Sequence, residues 1–321
     1  MKKSMPTLST LGERALIRLL TSGLPMPRSV CVGPGDDAAV VRAARGRDLV
    51  LKCDAVVEGV HFHPEASPRA AGRKAVGRVL SDFAAMGAEP RHLLVSLAAP
   101  DSTPVARIRD LYRGLRTIAE AHGVTLVGGE TVRANQLALH VFGIGELPAG
   151  RALLRSGARA GDILFVTGEL GGSFTGRHLR FDPRVREGRW LLAGGWSRAA
   201  IDISDGLATD LRHLVTASGV GADLDPLRIP VSAAARRSRD GRTPLEHALE
   251  DGEDFELLFT VPRRKVPAFL KAWPRAFATR VTAFGAITPH VGRIRLRTPG
   301  APDRELQARG YEHFQSARAA T

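Results

Sequence analysis

The sequence contains few cysteines and few aromatic residues, and both shortages restrict the class of protein it can belong to. Its two cysteines, Cys31 and Cys53, have neither metal-ligand spacing nor a partner motif, which gives no support to a disulfide framework or a zinc site. Aromatic residues make up 5% of the chain, so base-stacking platforms for single-stranded nucleic acid are not expected. No apolar stretch approaches the length of a membrane span, and no apolar signal-peptide core follows Met1–Lys3 directly. We therefore predict a cytoplasmic protein with no membrane partner.

Basic residues outnumber acidic ones in the chain as a whole. There are 46 Lys and Arg residues against 33 Asp and Glu residues, which gives a formal net charge of +13. Such a balance suits polyanionic partners or phosphorylated substrates. The arginines are scattered, however, and no run of five or six basic residues occurs. The pattern favours a generally basic surface over nucleic-acid binding.

The common phosphate-binding motifs are absent from the sequence. No Gly-rich stretch ends in Gly-Lys-Ser or Gly-Lys-Thr, and the Gly-rich loop of protein kinases is missing together with its His-Arg-Asp partner. The segment Gly168–Gly172 could bring backbone amides close to a phosphate. An ordinary strand-to-helix turn is the favoured interpretation of that segment.

Acidic residues beside small ones recur along the chain, and several of them follow a short apolar run. The residues in this setting are Asp36 and Asp37 after Gly35, Asp54 after Cys53, Asp82 after Ser81, Glu130 after Gly129, Asp202, and Asp205 before Gly206. Each one alone could be a helix cap or a turn former. Carboxylates that converge on one site favour a multivalent cation, because they otherwise repel one another or take up protons. Oxygen ligands without clustered Cys or His predict magnesium, carried by nucleotide phosphates.

The 321 residues are enough for two domains or one large domain, and 44% of them are hydrophobic. Strands and helices alternate in both halves, which favours an α/β or α+β fold. The segment Pro148–Gly150 is the predicted boundary between domains at residues 1–149 and 150–321. The predicted helices are Thr10–Leu20, Ala70–Met86, Pro104–Ala121 and Leu207–Ser218. The predicted strands are Asp48–Cys53, His92–Ala98, Val124–Val127 leading to Gly128–Glu130, Gln136–Leu147 as one strand or two, Asp162–Thr167, Ala199–Ile203, Asp254–Val261 and Arg280–Ile287.

Two further residues have open interpretations on local pattern alone. Arg155 follows the predicted boundary, where a guanidinium could bridge an anionic ligand between the domains. Taken alone, such an arginine is more often solvated. His61 is flanked by apolar residues, so a packed histidine is favoured over a ligand-binding one.

A series of short motifs, in this order, is highly specific. The motifs are Gly35–Ala39, Asp54 with Glu58–Phe62, Leu80–Asp82 with Ala84–Ala88, Gly128–Thr131, Arg155–Ala158, Ile201–Leu207, Gly252–Glu256 and Gly310–Phe314. Over about Leu11 to Phe314 the chain resembles the thiamine-monophosphate kinase family, within the superfamily of aminoimidazole ribonucleotide synthetase and selenophosphate synthetase. Glu58–Phe62 and Gly310–Phe314 favour the thiamine branch of that superfamily.

The resemblance implies a two-domain α/β fold of the aminoimidazole ribonucleotide synthetase type. Residues 1–149 would bind ATP and magnesium and form a sheet or barrel with a second subunit of a homodimer, and residues 150–321 would close over the cleft. The implied activity is direct transfer of the γ-phosphoryl group of ATP to thiamine monophosphate, with Mg²⁺ as cofactor. The implied magnesium ligands are Asp37, Asp54, Asp82, Glu130, Asp202 and Asp205. The implied nucleotide contacts are Gly129, Glu130, Arg155 and Ser204, and the implied thiamine phosphate contacts are His61, Glu253 and Tyr311.

The chain departs from the family pattern at three positions. Glu130 stands where Asp is usual, Val79 where Asn is usual before Leu-Ser-Asp, and Asp251 where Gly is usual before Gly-Glu-Asp. We assign no catalytic base, because the attacking phosphate oxygen is already ionised. Two alternatives stay open: another ATP-dependent small-molecule enzyme of the same superfamily, and an inactive nucleotide-binding paralogue.

Overall fold

The computed structural model describes residues 15, 28, 30–33, 35–43, 46–298, 300 and 302–307. The predicted helix Thr10–Leu20, apart from Ala15, lies outside the described residues. The motif Gly310–Phe314 and the candidate substrate residue Tyr311 lie outside them as well.

The first sheet is built from the N-terminal half of the chain. Its strands are β1 (Val30–Val32), β2 (Ala39–Arg42), β3 (Arg47–Val57), β4 (Glu89–Ala99), β5 (Thr125–Arg133) and β6 (Ala138–Pro148). They lie in the order β1-β2-β3-β6-β4-β5, with β4 and β5 parallel and the other neighbours antiparallel. The strand β5 is therefore an edge strand.

Two helices cover one face of this sheet. Helix α1 (Pro68–Met86) starts with a proline in its first turn and ends at Gly87, whose φ of 71° lies in the left-handed region. Helix α2 (Val105–Ala121) packs against α1 through glycines. A Cβ atom at Gly114 would lie 1.8 Å from the Arg69 carbonyl oxygen, so no larger residue fits there. Most of α1 is buried in consequence.

Strand β3 shows how the first sheet divides its two faces. Val50 and Val56 are buried, whereas Leu51 and Cys53 are exposed on the opposite face. Side chains alternate along a strand, so Lys52 and Asp54 share the buried face with Val50 and Val56. Two charged groups thus point toward the helices.

The second sheet is built from the C-terminal half. Its strands are β7 (Ile163–Thr167), β8 (Ala200–Asp202), β9 (Gly221–Leu224), β10 (Leu257–Val261), β11 (Val281–Thr288), β12 (Ile294–Leu296) and β13 (Arg304–Glu305). The order is β13-β12-β9-β11-β7-β10-β8, and only β9 and β12 pair in parallel among the described strands. The helices of this half are α3 (Val185–Ala193), α4 (Leu207–Ser218), α5 (Ala233–Arg237), α6 (Pro244–Glu250) and α7 (Val266–Ala276), with 3-10 turns at Ser173–Thr175, Arg177–Leu179 and Arg263–Lys265.

The mixed α/β fold predicted from the sequence is confirmed, with two corrections in detail. Gly128–Glu130 lies inside β5 rather than after a strand. The glycine pair was expected to break the strand, but a Cβ atom at Gly129 would lie 1.9 Å from the Val95 carbonyl oxygen of β4. The second correction is that Asp254–Glu256 precedes β10. Gln136–Leu147, predicted as one strand or two, forms the single strand β6.

In the sequence, residues 149–162 separate the strands of the first sheet from those of the second. The buried core is nevertheless not divided at that segment. One cluster of buried side chains contains Val79 and Val141 from the first half together with Phe259 and Phe269 from the second. The domain boundary at residues 149 and 150 stays a prediction. Within the described ranges, every helix is too short or too polar to cross a membrane.

Candidate functional site

Three buried carboxylates from distant parts of the chain meet beside the first sheet. Asp37 lies in the bend before β2, Asp82 on α1, and Asp202 at the end of β8. One carboxylate oxygen of each lies within 4.8 Å of the other two. Among the described residues, Asp37 Oδ2 is one of three buried side-chain polar atoms without a hydrogen-bond partner. We call Asp37, Asp82 and Asp202 the acidic cluster.

The acidic cluster is electrostatically costly without a cation. Burial, and then the charge of Asp37, raise the pKa of Asp202 to about 6. Burial also raises the pKa of Asp82 well above its ordinary value, although the charge of Lys52 opposes this shift. Buried carboxylates that repel one another, one of them with an unpaired oxygen, fit a small divalent cation that prefers oxygen ligands. The residues present therefore fit Mg²⁺.

Basic and hydroxyl groups surround the acidic cluster. Lys52 Nζ donates to Asp82 Oδ1 at 2.8 Å, and Arg155 donates to Asp37 Oδ1 at 2.6 Å. Ser81 Oγ donates to Asp202 Oδ2 at 2.6 Å. Burial lowers the pKa of Lys52, but the charges of Asp82 and Asp54 outweigh it and raise the pKa above its usual value. Lys52 therefore stays charged.

Asp54 lies on β3 next to the acidic cluster, but it has a different partner. Arg78 of α1 donates from Nε to Asp54 Oδ2 at 2.8 Å and from a terminal nitrogen to Oδ1 at 3.2 Å. Burial would raise the pKa of Asp54, yet the charges of Arg78 and Lys52 lower it overall. Asp54 is thus an ionised carboxylate in a two-pronged ion pair.

Asp205 belongs to a second group of possible ligands, with Asp210 and His213, whose ligand atoms lie within 4.8 Å of one another. Asp210 lies in the first turn of α4 and accepts hydrogen bonds from the backbone amides of Ser204 and Asp205, at 3.1 and 3.0 Å. This carboxylate fixes the turn after β8. The turn carries two candidate residues beside Asp202.

Gly129 and Glu130 lie apart from the acidic cluster in this structure. Both are exposed on the edge strand β5. The Glu130 side chain accepts a hydrogen bond from the adjacent Thr131 amide at 2.7 Å. Their roles as nucleotide or metal contacts stay predictions.

His61 and Glu253 face one small cavity of about 60 Å³. Its walls are formed by Val60, His61, Arg78, Phe174, Ser204, Asp205, Gly252, Glu253 and Phe255. Candidate substrate residues and candidate nucleotide and metal residues therefore share a cavity. Glu253 has a φ of 63°, which is uncommon for a residue with a side chain. Such strain is often found at functional sites.

The carboxylate of Glu253 is surrounded by cationic and donor groups. Lys74 Nζ contacts Oε2, His178 Nδ1 lies 3.0 Å from the same oxygen, and Arg78 lies 3.3 Å from Oε1. Burial would raise the pKa of Glu253, but the hydrogen bond with His178 and the charges of Lys74 and Arg78 lower it overall. Burial lowers the pKa of Lys74 to about 8, against the pull of Glu253.

Sequence reasoning named Arg155 but missed three other basic residues of the site, Lys52, Lys74 and Arg78. Lys74, Arg78 and Asp82 occupy one side of α1 at intervals of four residues, which is the spacing of neighbours on a helix face. The four-residue spacing of these three charged residues was the available signal. Lys52 alternates with Asp54 on β3 and could have been found in the same way.

Two of the three departures from the family pattern have a structural explanation. Val79 is fully buried and faces Gly143 of β6, so it contributes to packing of α1 on the sheet. Asp251 accepts from Arg242 at 2.7 Å and lies 2.9 Å from His247 Nδ1. It also accepts from the Gly172 amide at 2.7 Å, so this amide of the Gly168–Gly172 segment already has a partner within the protein.

Comparisons with known proteins agree with this arrangement. Residues 35–147 match the family model for the N-terminal domain of AIR synthase related protein. Thiamine-monophosphate kinase from Rhodopirellula baltica is 41% identical over 88% of this chain and 89% of its own length. The enzyme from Bacillus subtilis is 35% identical over 95% of this chain and 100% of its own length.

A solved structure, AaThiL complexed with AMPPCP and TMP, is also similar. It has a TM-score of 0.83 and 30% identity and covers 97% of this chain and 100% of its own. The chain belongs to the thiamine-monophosphate kinase family.

Proposed function

We propose that this protein transfers the γ-phosphoryl group of ATP directly to thiamine monophosphate, giving thiamine diphosphate and ADP. The observation that carries the proposal is the acidic cluster, with its unpaired Asp37 oxygen, near a cavity lined by His61 and Glu253. Relatives of nearly the same length are named thiamine-monophosphate kinase, and a similar structure is complexed with AMPPCP and TMP. Use of ATP agrees with the cytoplasmic location predicted from the sequence.

Asp37, Asp82 and Asp202 are the residues that would hold Mg²⁺, and Asp54, Asp205 and Glu130 are proposed as further ligands. A bound Mg²⁺ would neutralise part of the negative charge of the phosphates. The protein's own part is electrostatic and positional. Lys52 and Arg155 hold Asp82 and Asp37 in place through hydrogen bonds, and the ionised phosphate acceptor needs no general base.

The remaining proposed contacts divide between the two substrates. Gly129, Glu130, Arg155 and Ser204 are proposed to contact the nucleotide. His61, Glu253 and Tyr311 are proposed to contact thiamine phosphate. Support comes from the position of Ser204 and Glu253 on one cavity wall, where the Glu253 amide donates to the Ser204 carbonyl at 2.7 Å.

The test of this function is incubation of the purified protein with ATP, Mg²⁺ and thiamine monophosphate, followed by separation of the thiamine phosphates. We expect one thiamine diphosphate and one ADP per turnover. ATP binding without either product would support the inactive paralogue. Release of ADP and phosphate without thiamine diphosphate would support another ATP-dependent enzyme of the superfamily.

We also propose that the protein is a homodimer, joined through the face of the first sheet that no described helix covers. This face carries a shallow apolar groove of about 520 Å³, whose exposed large side chains are Leu51, Leu94, Val127, Phe142 and Ile144. Exposed apolar patches of this kind mark interaction sites. Strand β5 has no described strand on its outer side, so a strand of a second subunit could pair there.

The substitution Phe142→Asp should convert the dimer to a monomer, because it places a charge in the middle of the apolar face. Light scattering after gel filtration measures the mass against the 34.4 kDa of one chain. Leu227→Asp is the matched control, since Leu227 is 79% exposed outside this face. A wild-type protein that elutes as a monomer would contradict the proposed dimer.

A further inference from the structure

Arg78 links the two halves of the candidate site from a single position on α1. Its guanidinium makes the two-pronged contact with Asp54 of β3 and a third contact with Glu253. Its side chain is 16% exposed. The exposed part faces the cavity that His61, Ser204 and Glu253 also line.

The other basic groups nearby are less suited to meet a ligand in that cavity. Lys74 is fully buried, and its Nζ is shared among Glu253, His178 and the His61 carbonyl. Lys52 is directed to Asp82 and to the Asp37 carbonyl. Arg78 is the cationic side chain on the cavity wall among the described residues.

We propose that Arg78 binds the phosphate of the acceptor, thiamine monophosphate, and exchanges its contacts with Asp54 for contacts with that phosphate. The inference rests on the proposed function and names a residue of the acceptor site. A guanidinium fork fits phosphate oxygens as well as carboxylate oxygens, with two parallel hydrogen bonds.

The exchange follows from the charges around Arg78. If Asp54 contributes to the metal site, Arg78 loses its bidentate partner and keeps only the 3.3 Å contact with Glu253, and a buried cation with incomplete pairing is costly. A phosphate dianion restores that pairing. The same contact offsets the repulsion between acceptor and nucleotide, two anions that must approach each other.

The role is tested by calorimetric binding of thiamine monophosphate and of thiamine, which lacks the phosphate, to the wild type and to Arg78→Gln. In the wild type, thiamine monophosphate should bind more tightly than thiamine. In Arg78→Gln, affinity for thiamine monophosphate should fall about 10- to 100-fold, the range expected for a charged hydrogen-bonded contact, while affinity for thiamine stays within twofold.

The Arg78→Lys variant keeps the proposal testable if Arg78→Gln does not fold, because lysine retains a positive charge beside Asp54 and Glu253. We expect it to lose part of the phosphate-dependent affinity, since an ammonium lacks the planar fork. Arg73→Gln is the control on the same helix. Arg73 donates to the Phe181 carbonyl at 3.1 Å and lies off the cavity wall, so both affinities should be retained.

Steady-state kinetics gives a second readout. The KM for thiamine monophosphate should rise at least tenfold in Arg78→Gln, with the KM for ATP within twofold. Wild-type affinity for thiamine monophosphate in both Arg78 variants, or an equal loss for thiamine, would overturn the inference. A wild-type protein that forms no thiamine diphosphate would instead overturn the proposed function.

Discussion

The Asp202→Asn variant should lose at least about 100-fold in turnover while it keeps its fold. Removal of one group that stabilises transition-state charge costs about 100- to 1,000-fold in rate. Asparagine has the same shape as aspartate, and its carbonyl oxygen can accept the hydrogen bond from Ser81. The substitution also removes a charge that repels Asp37, so the metal-free protein should be at least as stable as the wild type.

Product formation and thermal unfolding of the two proteins measure these effects side by side. Asp223→Asn is the matched control, because Asp223 of β9 pairs with Arg295 and Arg297 and is not part of the candidate site. It should keep near-normal turnover. Near-normal turnover in Asp202→Asn itself, and in Asp54→Asn, would remove the carboxylate site from the mechanism.

The Lys74→Met variant should lower the free energy of unfolding by about 3 to 5 kcal/mol, the usual cost of removing one partner of a buried ion pair. Lys74 is fully buried and contacts Glu253, while methionine fills similar space without the charge. The Glu253 carboxylate would stay buried with a weaker set of partners. Urea denaturation at pH 7, where Lys74 is still mostly protonated, measures the loss.

A double substitution distinguishes the interaction energy of the ion pair from the loss of side-chain packing. Lys74→Met combined with Glu253→Gln should cost clearly less than the sum of the two single changes, because neither charge is then left alone. Lys271→Met on α7 is the control, since Lys271 is exposed. A Lys74→Met protein as stable as Lys271→Met would contradict the assigned pairing.

The helices that the sequence predicted within the described residues match the structure more closely than the predicted strands do, but α3, α5, α6 and α7 were not predicted. Leu207–Ser218 was predicted with its observed bounds, because Gly206 and Gly219 flank a clear apolar face. Strand β5 was predicted too short, since two glycines normally interrupt a strand. In the fold those glycines permit close pairing with β4, a long-range effect that no local pattern contains.

The acids of the site were easier to find than their partners. Asp37, Asp82 and Asp202 each stand beside a small or apolar residue in a recognisable motif, and the structure brings all three together. Arg78 shows only its four-residue spacing from Lys74 and Asp82 on α1, and that spacing does not indicate its partners. Its contact with Glu253 joins residues 175 positions apart, so only the packing of the second half against α1 defines it.

The central claim is that the acidic cluster binds the divalent cation that accompanies the nucleotide. Anomalous diffraction from crystals grown with Mn²⁺ and AMPPCP tests it most directly, because manganese scatters anomalously and takes oxygen ligands as magnesium does. We expect a metal peak coordinated by the carboxylates of Asp37, Asp82 and Asp202. A nucleotide bound with its metal elsewhere, and these three carboxylates left uncoordinated, would contradict the claim.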